Sequence, residues 1–348
     1  MATSTKLKKG LEQFRSHSGT PAAGIARVGP DGLIESAVSG TIHRDSKEAV
    51  QIDDAWHLGS CTKSITALLI GRLVEMGKLD WERSVADLLA DIESYPGWAE
   101  THHGWKDVTL AQLLQCRAGV PANPKPTEML RLWNDSTPVE SQRTARATVV
   151  LSSAPVSPGE FLYSNLSYVL AGAVIDRATD LTYEEALNEF VLEPLDITSA
   201  GFGPAPRVYG HSPRIRVGPF RRGPGTPKQP NNKRSDNPVL LNPAGRLHLT
   251  LADWATIIRV FLNDGSPLVE PETMKRLTTV ASPDSMAMGW GNGSAVGGSI
   301  AMQGSNTMNS ATAVINANQD EALLVVANDG RDSVLEMSAE LARAALEL

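Results

Sequence analysis

Strand-forming segments lie at the two ends of this 348-residue chain, and helix-forming segments fill its middle. Residues 22–28 and 33–39 read as two strands around the turn Gly29-Pro30-Asp31-Gly32. Residues 285–290, 297–303, 310–316 and 322–327 read as short strands, with Asn316–Glu321 turning the last pair into a hairpin. Between them the pattern is helical and broken by Pro/Gly-rich loops, with helices expected over 109–116, 140–152, 166–179, 182–192 and 251–263. Strands far apart in sequence must meet, because a lone hairpin has too little core. The expected fold class is therefore α/β (α+β): one antiparallel sheet built from both chain ends, covered by terminal helices over 4–17 and 332–347, with a mostly helical domain inserted. That division places residues 1–79 and 283–348 in the sheet domain and 80–282 in the helical one.

Hydrophobic residues make up 41% and charged residues 20%, values that disfavour disorder. A net charge of −7 gives no sign of nucleic-acid binding. No apolar run approaches membrane length, and no apolar stretch follows the N-terminal lysines, so a cytoplasmic protein without membrane association is expected. Two cysteines, Cys61 and Cys116, do not make a disulfide framework. The segment 204–238 stands apart. It is rich in Pro and Gly and carries Arg207, Arg214, Arg216, Arg221, Arg222, Lys228, Lys233 and Arg234 before its first acidic residue, Asp236. A structureless stretch of this length reads either as a lid over a site or as a surface excursion.

The chemistry concentrates at Ser60-Cys61-Thr62-Lys63, at the head of a helix over 63–76 whose buried face is expected to carry Leu68, Leu69, Leu73 and Met76, with Gly77 as its stop. Residues i and i+3 share a helix face, so the Ser60 hydroxyl and the Lys63 amine can meet. A serine hydroxyl needs a base to become a nucleophile, and the amide of a helix-starting residue is a free donor for an oxyanion. Ser60 also fits a simple N-cap. Further on, Tyr163-Ser164-Asn165 follows Pro158-Gly159 and leads into a helix. The phenol can relay a proton and the amide can hold a carbonyl or the lysine, or the pair can be a packed Tyr and a capping Asn. Near the C-terminus, Met302-Gln303-Gly304-Ser305 ends a strand. Gly304 lets a substrate lie against the strand edge, and the next N–H can supply a second oxyanion donor. Cys61 reads as a thiol nucleophile or as buried filler, and His102-His103 lacks a third ligand at metal spacing, so neither a metal nor a cofactor is expected.

These motifs, in this order, resemble those of the serine β-lactamase and penicillin-binding-protein superfamily, in its class C β-lactamase, DD-peptidase and family VIII esterase branch. Trp56 through Ser64 is similar to the nucleophile helix, Val108–Gly119 to the segment after it, and Asn242-Pro243-Ala244-Gly245-Arg246 to the segment before the sheet resumes. The resemblance implies Ser60 as nucleophile, Lys63 as its partner, Tyr163 as general base and Asn165 as the group orienting substrate or lysine. It implies an oxyanion hole from the N–H groups of Ser60 and Ser305, with Gly304 and Met302 lining the substrate site. Met302 departs from the pattern, which has Lys or His there. A thioether cannot anchor a carboxylate, which argues against β-lactams and D-Ala-D-Ala peptides. The implied function is a serine hydrolase cleaving a small ester or amide through an acyl-enzyme. Transfer of the acyl group to an acceptor other than water, or a weakened binding protein on the same fold, are the alternatives. The partner is a small molecule, and the sequence does not specify an oligomer.

Overall fold

The computed structural model describes residues 5–90, 100–212, 224–280, 282, 285–294 and 297–346. The helices are α1 (Thr5–Ser18), α2 (Thr62–Glu75), α3 (Val85–Leu88), α4 (Leu110–Leu114), α5 (Pro126–Asn134), α6 (Val139–Leu151), α7 (Asn165–Thr179), α8 (Tyr183–Leu187), α9 (Asn242–Gly245), α10 (Leu251–Leu262), α11 (Pro271–Thr278) and α12 (Asp332–Leu346). The strands are β1 (Ala22–Gly29), β2 (Gly32–Gly40), β3 (Ala55–His57), β4 (Gly201–Phe202), β5 (Leu247–Thr250), β6 (Gly291–Asn292), β7 (Gly298–Ser305), β8 (Ser310–Asn316) and β9 (Ala322–Ala327).

The main sheet has the order β2-β1-β9-β8-β7-β6, with every described neighbour pair antiparallel. The two chain ends meet where β1 pairs with β9, Ile25 opposite Val325. Both faces are covered, which is why Ala322–Ala327 is apolar throughout instead of alternating. Leu323, Val325 and Ala327 face α1 and α12 with Leu11, Phe14 and Ala342. Ala322, Leu324 and Val326 face the main core with α2 and α10. A second small sheet, β3-β5-β4, lies outside the expected elements. Among the described residues no helix is long and apolar enough to cross a membrane.

Several expectations are corrected. Residues 285–290 form no strand. Gly289 has φ +81, and a Cβ there would come within 2.6 Å of the Lys63 backbone, so this apolar run turns tightly against α2. α5 and α11 were not expected; each has Pro in its first turn, which the sequence presents as a breaker and the helix uses as a start. α2 is buried nearly all round and not on one face, while Met76 is 41% exposed beyond its last turn. Gly77 does end it, at φ +70.

His211 ties the described start of the Pro/Gly-rich segment to the sheet. Its Nδ1 meets the Asn328 carbonyl at 2.6 Å, and its Nε2 accepts the Arg44 N–H at 3.2 Å. The ring is therefore neutral with Nδ1 protonated, and protonating Nε2 would break the Arg44 bond. Burial lowers the His211 pKa below its ordinary 6.5. A depressed histidine contributes stability above its unfolded value and loses it as pH falls below that value, because the unfolded chain then binds the proton that the folded chain refuses. The melting temperature is expected to fall as pH drops from 7 toward 5. In His211→Gln the fall should be shallower, as read by thermal unfolding across that range.

Candidate active site

The nucleophile turn is built on a glycine. Gly59 has φ +51, and a Cβ there would come 2.4 Å from the Ser305 nitrogen. A Cβ on Gly304 would in turn come 2.1 Å from the Leu58 carbonyl oxygen and 2.6 Å from the Ser60 nitrogen. Only two glycines allow the end of β7 to lie this close to the turn that starts α2. A 3-10 turn over Gly59–Cys61 carries Ser60. Gly59 N–H donates to His57 Nδ1 and Cys61 N–H to the Leu58 carbonyl. Between them the Ser60 N–H has no backbone acceptor among the described residues.

Ser60 Oγ caps no helix. It accepts from Lys63 Nζ at 3.0 Å. Nζ is also bonded to Asn165 Oδ1 at 2.7 Å and to the Ala244 carbonyl at 2.6 Å. These three acceptors match the three donors of an ammonium, and they hold a lysine of 0% exposure inside the protein. Asn165 does not cap α7 with its side chain either; Ser164 does, accepting the Ser167 N–H. Asn165 Nδ2 is held by Asn123 Oδ1 at 2.7 Å, and Asn165 N–H by the Ala122 carbonyl. The loop 115–123 thus runs along 155–165 and places the Asn. Tyr163 presents its ring, with Nζ 4.9 Å from the centroid. Its hydroxyl has no hydrogen bond among the described residues, and the side chain is 37% exposed, open to a ligand.

Ser, Lys, Tyr and Asn thus converge from the Gly59–Cys61 turn, α2, α7 and the loop before α7, against a strand edge opened by a glycine. The Beta-lactamase family model matches residues 7–346. The chain belongs to the Beta-lactamase family. It is 26% identical over 303 residues to penicillin-binding protein 4 of Amycolatopsis lactamdurans, covering 81% of this chain and 73% of that one. A class C β-lactamase structure from Rhodobacter sphaeroides is similar at TM-score 0.74 and 18% identity, over 99% of each chain. A D-amino acid amidase structure from Ochrobactrum anthropi is similar at TM-score 0.74 and 17% identity, covering 98% of this chain and 97% of that one.

Within this Beta-lactamase fold Met302 is 6% exposed and packed with the main core, on the face of β7 that Gly304 shares and that meets the Ser60 turn. Its backbone carbonyl faces Cys61 Sγ at 3.5 Å. Ser305 Oγ accepts the Thr307 N–H and donates to the Gly330 carbonyl, which fixes the strand end. Cys61 is buried, and burial pushes its thiol up to about 12, which keeps it protonated and unreactive. His102 Nδ1 accepts the Gly104 N–H, its ring stacks on His103, and no metal-binding group of side chains occurs among the described residues.

Of the basic segment, Arg207 is spent on Asp54 and Glu48. Arg214, Arg216, Arg221 and Arg222 lie outside the described residues. Its acidic end reaches the site instead. Asp236 is 1% exposed, and its Oδ2 bonds His57 Nε2 at 2.9 Å and accepts Arg246 Nε at 3.2 Å. Burial alone would raise its pKa, but His57, Arg246 and Asn306 outweigh that and hold it below the usual carboxylate range. Asp236, Asn123 and the Ala244 carbonyl were missed as site groups. The one signal available was that Asp236 breaks a basic run and that Ala244 sits in a recognised segment.

Proposed function

We propose that the protein is a serine hydrolase that cleaves a small, uncharged ester or amide through an acyl-enzyme on Ser60. The observation that carries this reading is the 3.0 Å contact between Ser60 Oγ and the fully buried Lys63 Nζ, beside an amide with no backbone partner. In the reaction, Ser60 Oγ attacks the substrate carbonyl carbon and its proton passes to the Lys63–Tyr163 pair. The carbonyl oxygen takes the developing charge against the N–H groups of Ser60 and Ser305. Tyr163 returns the proton to the leaving group as the old acyl bond breaks. Water then attacks the acyl-enzyme, and Ser60 regains its proton. Amide cleavage also fits the D-amino acid amidase named above, and the fluorophosphonate reactivity of Ser60, located by peptide mass spectrometry, tests the nucleophile.

The substrate preference follows from Met302. A charge-assisted bond from a Lys or His at that place would contribute roughly 1.5–3 kcal/mol, about 10- to 100-fold. Met302 supplies none. Short-chain p-nitrophenyl esters are expected to turn over with kcat/KM at least about tenfold above benzylpenicillin on the same preparation. Equal or faster penicillin turnover would show that a cation elsewhere anchors the carboxylate. Added amine acceptors should not divert the acyl group if water is the natural acceptor.

A further inference from the structure

Three segments each bring one group to the reaction centre, and one buried carboxylate touches all of them. Gly59, the residue before Ser60, donates its N–H to His57 Nδ1 at 3.0 Å. A neutral imidazole that accepts at Nδ1 carries its proton on Nε2, so His57 donates to Asp236 Oδ2 at 2.9 Å. Asn306 follows Ser305 and donates from Nδ2 to Asp236 Oδ1 at 2.9 Å. Arg246 follows the Ala244-Gly245 pair whose first carbonyl receives Lys63, and donates from Nε to Asp236 Oδ2 at 3.2 Å. The Asn237 N–H fills the last place on Oδ1 at 2.8 Å. A carboxylate offers about four lone-pair sites. All of them are used here, inside a protein where an unpaired one would be costly.

We propose that Asp236, acting through His57, Asn306 and Arg246, is the positioning residue that sets the Ser60 turn, the Ser305 strand end and the Lys63 carbonyl partner in register with one another. The proposal deepens the Ser60 reading and rests on it. Asp236 touches no reacting atom. Its role is geometric, and misplacement of reacting groups by about 1 Å can cost on the order of 100-fold. In Asp236→Asn the amide turns two acceptor sites into donors that face donors. Turned one way, its N–H groups face His57 Nε2 and Arg246 Nε; turned the other, they face Asn306 Nδ2 and the Asn237 N–H, so two of the four bonds are lost in either case.

The test has three arms. Protein labelled with 15N-histidine, with His57 assigned by its loss in His57→Gln, should show His57 as the Nε2–H tautomer in the native enzyme. Asp236→Asn should label with a fluorophosphonate about 100-fold more slowly and lose kcat about equally, with KM moving by less than roughly threefold. Asn306→Ala, which removes one of the four bonds to Asp236 together with the contacts of Asn306 to His57, Met308 and Asn309, should show a smaller loss of the same kind with circular dichroism unchanged. A native His57 protonated at Nδ1 would overturn the proposal. So would a folded Asp236→Asn with native labelling and kcat. If Asp236→Asn does not fold, the native tautomer and Asn306→Ala decide, and native rates in Asn306→Ala would count against it. A native enzyme whose Ser60 resists the fluorophosphonate would overturn the Ser60 reading instead, while the tautomer remains readable.

Discussion

Ser60→Ala is expected to lower kcat by about 10⁴-fold or more, leaving only what substrate binding and the oxyanion donors supply. The hydroxyl is the group before α2 that Lys63 Nζ meets, at 3.0 Å. Cys61 beside it is buried with its thiol held protonated and cannot substitute. Removing Oγ takes away one hydrogen bond to Lys63 and leaves the other two, to Asn165 and Ala244, in place. Stability should therefore change little while turnover collapses. Steady-state kinetics on a p-nitrophenyl ester, with a thermal melt of the same sample, reads both. Ser60→Ala with most of its activity retained would sink the nucleophile assignment.

Lys63→Ala should be almost as damaging to rate and far more damaging to the fold. The side chain is fully buried and pairs with three acceptors drawn from three segments. Its loss leaves Asn165 Oδ1 and the Ala244 carbonyl without a donor, at about 1–3 kcal/mol for each buried group left unpaired, and opens a cavity besides. A fall in kcat of about 10³-fold or more is expected, with a clear drop in melting temperature. Lys63→Met keeps the volume and separates the two effects: stability should recover in part and the rate should not. Combining either with Tyr163→Phe should add little, because the two act on one proton. Fully additive losses would instead mean that the Tyr163 hydroxyl acts independently of Lys63.

Much of this was legible because it is local. Ser60 and Lys63 are three apart on one helical stretch, so their contact follows from the pitch of a helix. The hairpin β1-β2 and the strands β8 and β9 announce themselves by composition and turns. The apolar run at 285–290 misled for an equally local reason: a buried turn and a buried strand have the same composition. Met302 could be read as a missing cation, since that is a matter of residue type. Its burial could not, since that depends on what packs against β7.

The sequence by itself therefore determined the Ser60–Lys63 contact, the Tyr-x-Asn turn and the sheet built from two ends, because each rests on spacing within one element or on the pairing demand of strands. The tertiary structure alone decided what holds them. Asp236 meets His57 across 179 residues, and the Ala244 carbonyl meets Lys63 across 181. Asn123 and Asn165 are brought together by the way one loop runs along another. Nothing in residue type or period marks such contacts, because a hydrogen bond between distant segments exists only once the core has fixed where both of them run.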